Sequence, residues 1–393
     1  MKPKILHVIG SLEIGGAERA LCKLLAQLMP FRAHYEVVSL VPGGALTSHI
    51  ERLGIPVRSL NMRRGVPNPM GPIRLARLLR VTRPDVVVTW MYHSNIVGGI
   101  AAVAAGKIPV IWNIRDFGLT AHCKVSTQTA AYLARKSARF LCSKVAFVSK
   151  ASQAAHAASG LDFKNSSVVI PNGFETALYR PSSDARREIR RELALSADAR
   201  LIGMIARVHR DKDHKNFLAA ASRLHSIAPD VHFLLCGSGA SVENKELIQS
   251  IESAGIGKVI HLLGPRLDIP RVTASLDVAV SSSSSEAFPN AVGEAMSCGV
   301  PCVVTDVGDS AYLLADTGRI VPARDSASLS AALLDLISAP QESLRALGSK
   351  ARTRILNHFT IEQIAPQYEA LWFSAIRDQA NLRSLTSDNK KAA

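Results

Sequence analysis

The chain has 393 residues, 47% of them apolar and 20% charged, and a net charge of +15. Such a composition excludes a disordered chain, and the length exceeds one ordinary core, pointing to two domains of roughly 150–200 residues each. The longest apolar stretch, 96–106, stops at Lys107, short of the roughly 18 residues that a membrane span needs, so no spanning segment is expected. The N-terminal stretch 1–10 has too short an apolar core for a signal peptide, and 4–9 reads as a first strand. Further strands are expected at 35–40, 85–90, 109–114, 144–149 and 167–171. Helices at 17–29, 46–53, 73–81, 95–105, 127–140 and 150–159 alternate with them. After turn and proline signals at Asn172-Gly173 and Arg180-Pro181 the scheme repeats. Strands are expected there at 201–206, 232–236, 259–263, 277–281, 301–305 and 319–321, and helices at 216–227, 243–254, 290–298 and 326–338. Alternating strand and helix predicts an α/β fold of two Rossmann-like, doubly wound parallel-sheet domains. The domains are expected at 1–175 and 176–361. Beyond 338 the pattern is helical to about Arg383, where Trp372 and Phe373 imply docking, and 386–393 reads as a disordered polar tail.

Charge is distributed unevenly. Residues 1–175 carry 22 Lys and Arg against 8 Asp and Glu, a balance of +14, while the remainder carries 25 against 24. A basic first half is expected to meet a polyanion, either a membrane surface or a nucleic acid. Aromatic-rich basic surfaces and recognisable reader motifs are missing, which argues against nucleic acid. The six cysteines, at 22, 123, 142, 236, 298 and 302, show no metal-ligand spacing and fit reduced thiols in the cytosol.

The densest functional signal is the stretch from Glu286 through Ala287, Phe288, Pro289, Asn290 and Ala291 to Glu294. It follows an apolar run broken by five serines, 281–285, the only low-complexity patch in the chain. Pro289-Asn290 is helix-start chemistry, and Gly299 and Pro301 are helix-stop chemistry. Glu286 is therefore placed on a loop at the C-terminal end of a strand, and Glu294 early in the next helix. In open parallel sheets ligands bind at that edge, and first-turn amides favour phosphate. Carboxylates accept hydrogen bonds from hydroxyls, so the composite suits a sugar joined to a phosphate. Arg207 and Lys212 lie on the loop leaving the first strand of the second half, where a guanidinium fork and an ammonium point charge could converge on a diphosphate. Gly15 and Gly16 follow the first strand of the chain and open its first helix, another anion-type position. Their spacing is neither that of a nicotinamide dinucleotide fingerprint nor that of a P-loop.

With these pieces in order, the chain resembles the retaining glycosyltransferases of family four, whose two-Rossmann-domain architecture is called GT-B. The resemblance spans nearly the whole chain, and its most specific element is the Glu286…Glu294 pair with the trailing Ala-Met-Ser-Cys-Gly-Val-Pro. It implies two domains facing across a cleft, with a C-terminal helix at about 362–385 packing back on the N-terminal domain. It assigns Glu286 to the donor-sugar hydroxyls, the loop amides from Ala287 and Phe288 through Pro289, Asn290 and Ala291 to holding that sugar, and Glu294 to the nucleotide ribose. Arg207 and Lys212 would stabilise the departing diphosphate. Gly237 and Arg266 fall at turns related to the family's, with Arg266 near the base, and Gly15 and Gly16 would approach phosphate or acceptor. Ala287 stands where glycine is common. Arg115 stands where many relatives carry a histidine, and it could supply a donor-facing cation, with Asp116 as its partner. His93, at another strand end, is the alternative histidine.

The resemblance further implies front-face, retaining transfer with no cofactor and no metal. The substrate would be a hexose or N-acetylhexosamine on a nucleotide, UDP being expected. The acceptor would be a glycan or lipid-linked molecule at an anionic membrane, in surface polysaccharide or lipopolysaccharide synthesis. The enzyme would be cytoplasmic and peripheral to the inner face of the membrane, with Met62–Arg64 and 73–80 as contacts. A sugar-nucleotide epimerase of the same two-domain architecture is the alternative.

Overall fold

The structure, a computed structural model, describes residues 2–28, 32–64, 68–118, 125–161 and 166–391, with backbone alone at 383 and 386–391. The chain forms two compact units: Met1–Gly173 with Ile361–Ala393, and Phe174–Thr360. The first runs β1 (Lys4–Ile9), α1 (Gly16–Leu28), β2 (His34–Ser39), α2 (Thr47–Arg52), β3 (Val57–Ser59), α3 (Met70–Thr82), β4 (Val86–Trp90), α4 (Met91–Ala104), β5 (Val110–Ile114), α5 (Val125–Leu141), β6 (Lys144–Phe147), α6 (Lys150–Ala158) and β7 (Ser167–Val169). The second runs α7 (Ser183–Glu192), β8 (Arg200–Ile205), a 3-10 turn (Arg210–Lys212), α8 (His214–Ile227), β9 (Val231–Cys236), α9 (Lys245–Ser253), β10 (Ile260–Leu262), α10 (Ile269–Ala274), β11 (Val278–Ser281), α11 (Asn290–Ser297), β12 (Cys302–Thr305), α12 (Ser310–Leu314), β13 (Arg319–Val321), α13 (Ser326–Ser338) and α14 (Gln341–His358). The chain then returns to the first unit as α15 (Ile361–Lys391).

Both sheets are wholly parallel, in the orders β3-β2-β1-β4-β5-β6-β7 and β10-β9-β8-β11-β12-β13. Each is a Rossmann-like doubly wound sheet, as the alternating pattern predicts. Growth of the sheet reverses once in each, between β1 and β4 and between β8 and β11. Loops leaving the two strands at such a reversal diverge and open a ligand crevice. The β8–β11 ladder holds only two residue pairs, Ile202–Val278 and Gly203–Ala279. Side chains reinforce it at its entrance. Buried Asp277 accepts from the Leu201 amide at 2.8 Å and from Arg190 at 2.6 Å, and also pairs with Arg186.

In the first unit β1 alternates between two cores. Leu6 and Val8 join the layer under α3, α4 and α5, and Ile5 and Ile9 join the layer that includes Ile364, Ala365, Tyr368 and Trp372 of α15. Trp372 is fully buried, its ring meeting His7 at 5.1 Å and Tyr35 at 6.1 Å. Trp90 Nε1 donates to His7 Nδ1 at 3.2 Å. Among the described residues no helix is long and apolar enough to cross a membrane. Five cysteines, 22, 142, 236, 298 and 302, are free, and Cys123 lies outside the described residues.

Several sequence expectations change, including the short helices α10 and α12, which were not expected. β3 was not expected, because a three-residue edge strand centred on Arg58 has no apolar run to signal it. The helix α7 was missed because its sequence is almost entirely polar, with only Ala185, Ile189 and Arg190 buried. The helix α15 continues to Lys391, where a disordered tail was expected from 386, since a helix anchored by packing propagates with one added hydrogen bond per residue.

Burial holds the His7 imidazole well below its ordinary value of 6.5, to about 3. Between those values the unfolded chain binds a proton that the folded chain refuses, so stability is intact above pH 6.5 and falls as pH drops towards 3. The slope from this group approaches about 1.4 kcal/mol per pH unit. Urea unfolding at stepped pH should show it, and His7→Gln, which keeps an acceptor for Trp90, should flatten it; an unchanged slope would assign the acid lability elsewhere.

Candidate functional site

The β8–β11 reversal brings two predicted segments together. The loop after β8 is fixed by Ala206 N–H donating to the Cys236 carbonyl at 2.9 Å and Val208 N–H to the Ser238 carbonyl at 2.8 Å. Gly237, at φ +146°, makes this possible: a Cβ there would lie 2.2 Å from the Ala206 oxygen. Gly237 thus braces the Arg207 loop through its backbone. Arg207 itself is exposed and has no ion-pair partner among the described residues. The 3-10 turn carries Lys212 inward, and Asp213, at φ +47°, both ends that turn and caps α8 by accepting from the Asn216 amide at 3.2 Å.

The serine run after β11 is the clasp that joins this loop to Glu286. The Ser282 hydroxyl is shared between the Lys212 and Asp213 carbonyls at 3.0 and 3.1 Å. The Ser284 amide donates to the Asp211 carbonyl at 2.8 Å. Ser283 Oγ donates to Glu286 Oε1 at 2.9 Å, and Thr305 of β12 donates to the Ser283 carbonyl at 2.6 Å. Glu286 and Lys212 form a direct ion pair, with side chains 12% and 27% exposed. Nothing in the sequence marked these serines as more than a strand breaker, because the carbonyls that Ser282 and Ser284 meet lie 69 to 73 residues away.

The segment after Glu286 is equally fixed. Gly308, at φ +58°, presses its Cα face on the Glu286 carbonyl, where a Cβ would stand 2.0 Å from the oxygen, and the Asp309 amide donates to the Ala287 carbonyl at 3.0 Å. Phe288 turns its ring into the core, against Phe174 at 6.4 Å and Phe359 at 5.8 Å, so only its backbone can serve a ligand. Pro289 sets the extended entry to α11, which has no side-chain cap. The first-turn amides at Asn290 and Ala291 are therefore available to an anion. Glu294 sits one turn in and is 5% exposed. The neighbouring Gly293 leaves the room that the Phe174 ring fills, 2.0 Å from where its Cβ would be.

Other expected residues are placed differently. Arg266 is engaged by Asp268, with Nε–Oδ1 at 2.7 Å, and by Glu192, within a cluster that includes Arg271; its guanidinium is neutralised by carboxylates at the β10 edge. In the first unit, Gly15 and Gly16 lie at the start of α1, and His93 is exposed in the first turn of α4. Arg115 is not a free cation. Its Nη1 donates to the Tyr368 hydroxyl of α15 at 2.9 Å, it bonds Asn172, and it lies 5.4 Å over the Trp90 ring. Asp116 does not pair with it, contrary to expectation, but with Tyr92 and His156. Adjacent residues after a strand point to opposite faces, which separates the two.

Each unit is a doubly wound parallel sheet, and in the second Arg207, Lys212 and Glu286 stand on the loops at the strand-order reversal. Residues 15–173 match the glycosyl transferase 4-like domain and residues 185–354 match glycosyl transferases group 1. The chain belongs to the GT-B glycosyltransferases of the family-four type. It is 24% identical over 313 residues to the UDP-Gal:alpha-D-GlcNAc-diphosphoundecaprenol alpha-1,3-galactosyltransferase of Escherichia coli, covering 77% of this chain and 79% of that one. It is 26% identical over 196 residues to the N-acetyl-alpha-D-glucosaminyl L-malate synthase of Bacillus anthracis, spanning 49% of this chain and about half of that protein's length, 50%. Among solved structures, Anabaena HepE in complex with UDP-glucose superposes with a TM-score of 0.82 at 26% identity, covering 94% of this chain and 99% of that one.

Gly308→Ala tests the brace behind Glu286. A side chain at this φ, pressed on backbone oxygen, should cost roughly 1–3 kcal/mol and lower the thermal unfolding midpoint. A variant with the wild-type unfolding midpoint would show that the loop tolerates displacement.

Proposed function

We propose that this protein transfers a hexosyl or N-acetylhexosaminyl group from a UDP-sugar to a lipid-linked glycan acceptor, with retention at the anomeric carbon. The observation that carries the reading is the Lys212–Glu286 pair, held by the serine clasp beside the open amides of α11. Lys212 and Arg207 supply the positive charge that a departing diphosphate needs, so the role a metal ion would have falls to them. Glu286 accepts from the sugar hydroxyls, and Glu294 from the ribose. Neither carboxylate acts as a nucleophile; the leaving phosphate oxygen takes the acceptor's proton, and the protein contributes position and charge. UDP is favoured by the relative solved with UDP-glucose, and a lipid diphosphate acceptor by the name of the Escherichia coli relative. An epimerase is less favoured, because the relatives matched are named as transferases and synthases.

Glu286→Gln and Lys212→Ala should each lower transfer from a radiolabelled UDP-hexose panel to lipid-linked acceptor by roughly 10²–10³-fold, with little change in unfolding midpoint. Near-normal transfer in both variants would refute the site. Release of an epimerised nucleotide sugar without acceptor product would favour the epimerase.

A basic surface with apolar tips supports the choice of acceptor. The helices α3, α4 and α5 contain no acidic residue. They expose Ile73, Val81, Ile100, Val103, Leu133 and Phe140 alongside Arg74, Arg77, Arg80, Lys136 and Arg139. Beside α3, a groove of about 650 Å³ is lined by Arg58, Ser59, Leu60, Asn61, Arg74 and Leu78. Apolar tips among basic residues suit an anionic interface, and α5 extends the contact expected from 62–64 and 73–80. The protein should float with phosphatidylglycerol vesicles, and Lys136→Glu with Arg139→Glu should weaken that by at least about tenfold. Equal flotation with neutral phosphatidylcholine, or none with either, would remove the membrane from the reading.

A further inference from the structure

The chain enters the second unit at Phe174 and leaves it at Thr360. These two ends are bridged: the Phe174 amide donates to the Phe359 carbonyl at 2.8 Å, and Phe174 pairs with Thr360 in a short parallel bridge. Phe359, which follows α14, is itself fixed. Its amide donates to the Ile355 carbonyl at 2.9 Å, and its ring lies 6.0 Å from Tyr312 and 5.5 Å from the Arg354 guanidinium carbon. From that anchored backbone the fully buried Phe174 ring reaches the start of α11. It stacks on Phe288 at 6.4 Å with 22° between the planes, and its Cζ and both Cε atoms occupy the place where Gly293 would carry a Cβ.

One ring thus touches both ends of the first turn of α11. Phe288 precedes the turn, Gly293 follows it, and the amides of Asn290 and Ala291, without a side-chain cap, lie between them. The far end of the same helix is held independently. Arg352 of α14 donates to the Ser297 carbonyl and, at 3.1 and 3.3 Å, to the Tyr179 and Thr176 carbonyls. Gly348 of α14 lies against the Gly299 carbonyl, where a Cβ would find no room. With its end held there, α11 keeps one adjustable dimension, the height of its first turn, and the Phe174 ring sets it. An ordinary core phenylalanine fills a space between apolar side chains. Here one edge of the ring meets a glycine, so the helix backbone itself rests on it.

We propose that Phe174 is a positioning residue for the donor, setting the backbone from Phe288 to Ala291 at the height where its amides meet the nucleotide sugar. This rests on the reading of the second unit as the donor-binding unit. Phe174 touches neither nucleotide nor sugar; it acts through Phe288 and Gly293. Amide hydrogen bonds to an anion are short and directional and weaken steeply with misalignment, so a small shift of the first turn is felt by the ligand.

A size exchange across the contact tests this on the full-length protein, with UDP affinity read by titration calorimetry. Leucine lacks the Cε and Cζ atoms that crowd Gly293, so Phe174→Leu should weaken UDP binding about fivefold and Gly293→Ala at least about twentyfold. The double variant should recover to within about threefold of Phe174→Leu, the non-additivity expected of residues in contact. A ring that only fills the core would lower the unfolding midpoint in both single variants and leave UDP affinity where it was. Hydrogen exchange without nucleotide gives a second measure. The α11 amides, beginning with Gly293, which donates to the Pro289 carbonyl at 3.4 Å, should exchange severalfold faster in Phe174→Leu. Wild-type UDP affinity in Phe174→Leu, or a folded double variant that binds no better than Gly293→Ala, would overturn the proposal. Should Gly293→Ala not fold, a double variant that folds and binds UDP supports it equally. Absence of UDP binding by the wild type would strike the donor reading instead, and unchanged exchange in Phe174→Leu would then overturn this one as well.

Discussion

The junction of β8 and β11 is the constraint on which the second unit's chemistry depends. The strand order reverses there, so the loops at its exit must diverge, and divergence leaves backbone groups without ladder partners. Only two residue pairs join the strands. Asp277 closes the entrance by drawing the Leu201 amide and its arginines together, and Gly203 admits the Leu276 side chain alongside. At the exit, Ser282 and Ser284 supply the hydrogen bonds that a longer ladder would have made. Side chains small enough to reach backbone across the gap are what that geometry demands. Lys212 and Glu286 meet because their loops are clasped before any ligand arrives.

Such preorganisation has an electrostatic side. Lys212 and Glu286 satisfy each other at rest, so neither is left as a half-buried, uncompensated charge. Arg207 remains exposed and unpaired among the described residues, and the first turn of α11 keeps its amides uncapped. Donors without a side-chain partner therefore flank the ion pair on both sides, an arrangement that favours an anion.

Much of this was legible in the sequence where chemistry is local. Apolar runs of five or six residues between helical periods placed nearly every core strand, and the order of turn signals around Glu286 placed it on a loop and Glu294 in a helix. Contacts between distant segments were not legible. The serines looked like punctuation because a hydroxyl does not advertise which carbonyl it will meet. Asp116 was matched to Arg115 by adjacency, yet backbone alternation sends them to different partners. Arg266 looked available until the folded chain set Asp268 and Glu192 against it. Short or polar elements such as β3 and α7 carry too little apolar pattern to stand out before their neighbours are known.

The place of α15 in the first unit has a consequence for how the molecule is made. Ile364, Tyr368 and Trp372 complete the layer that covers β1 and β4, although they are encoded after the entire second unit. Emerging from the ribosome, the second unit has all its strands while the first still lacks a wall. The first sheet must wait, one apolar layer only partly covered by α1 and α2, until α15 appears. Sequence order and order of completion thus differ, and His7 of β1 acquires its dry surroundings only when α15 arrives.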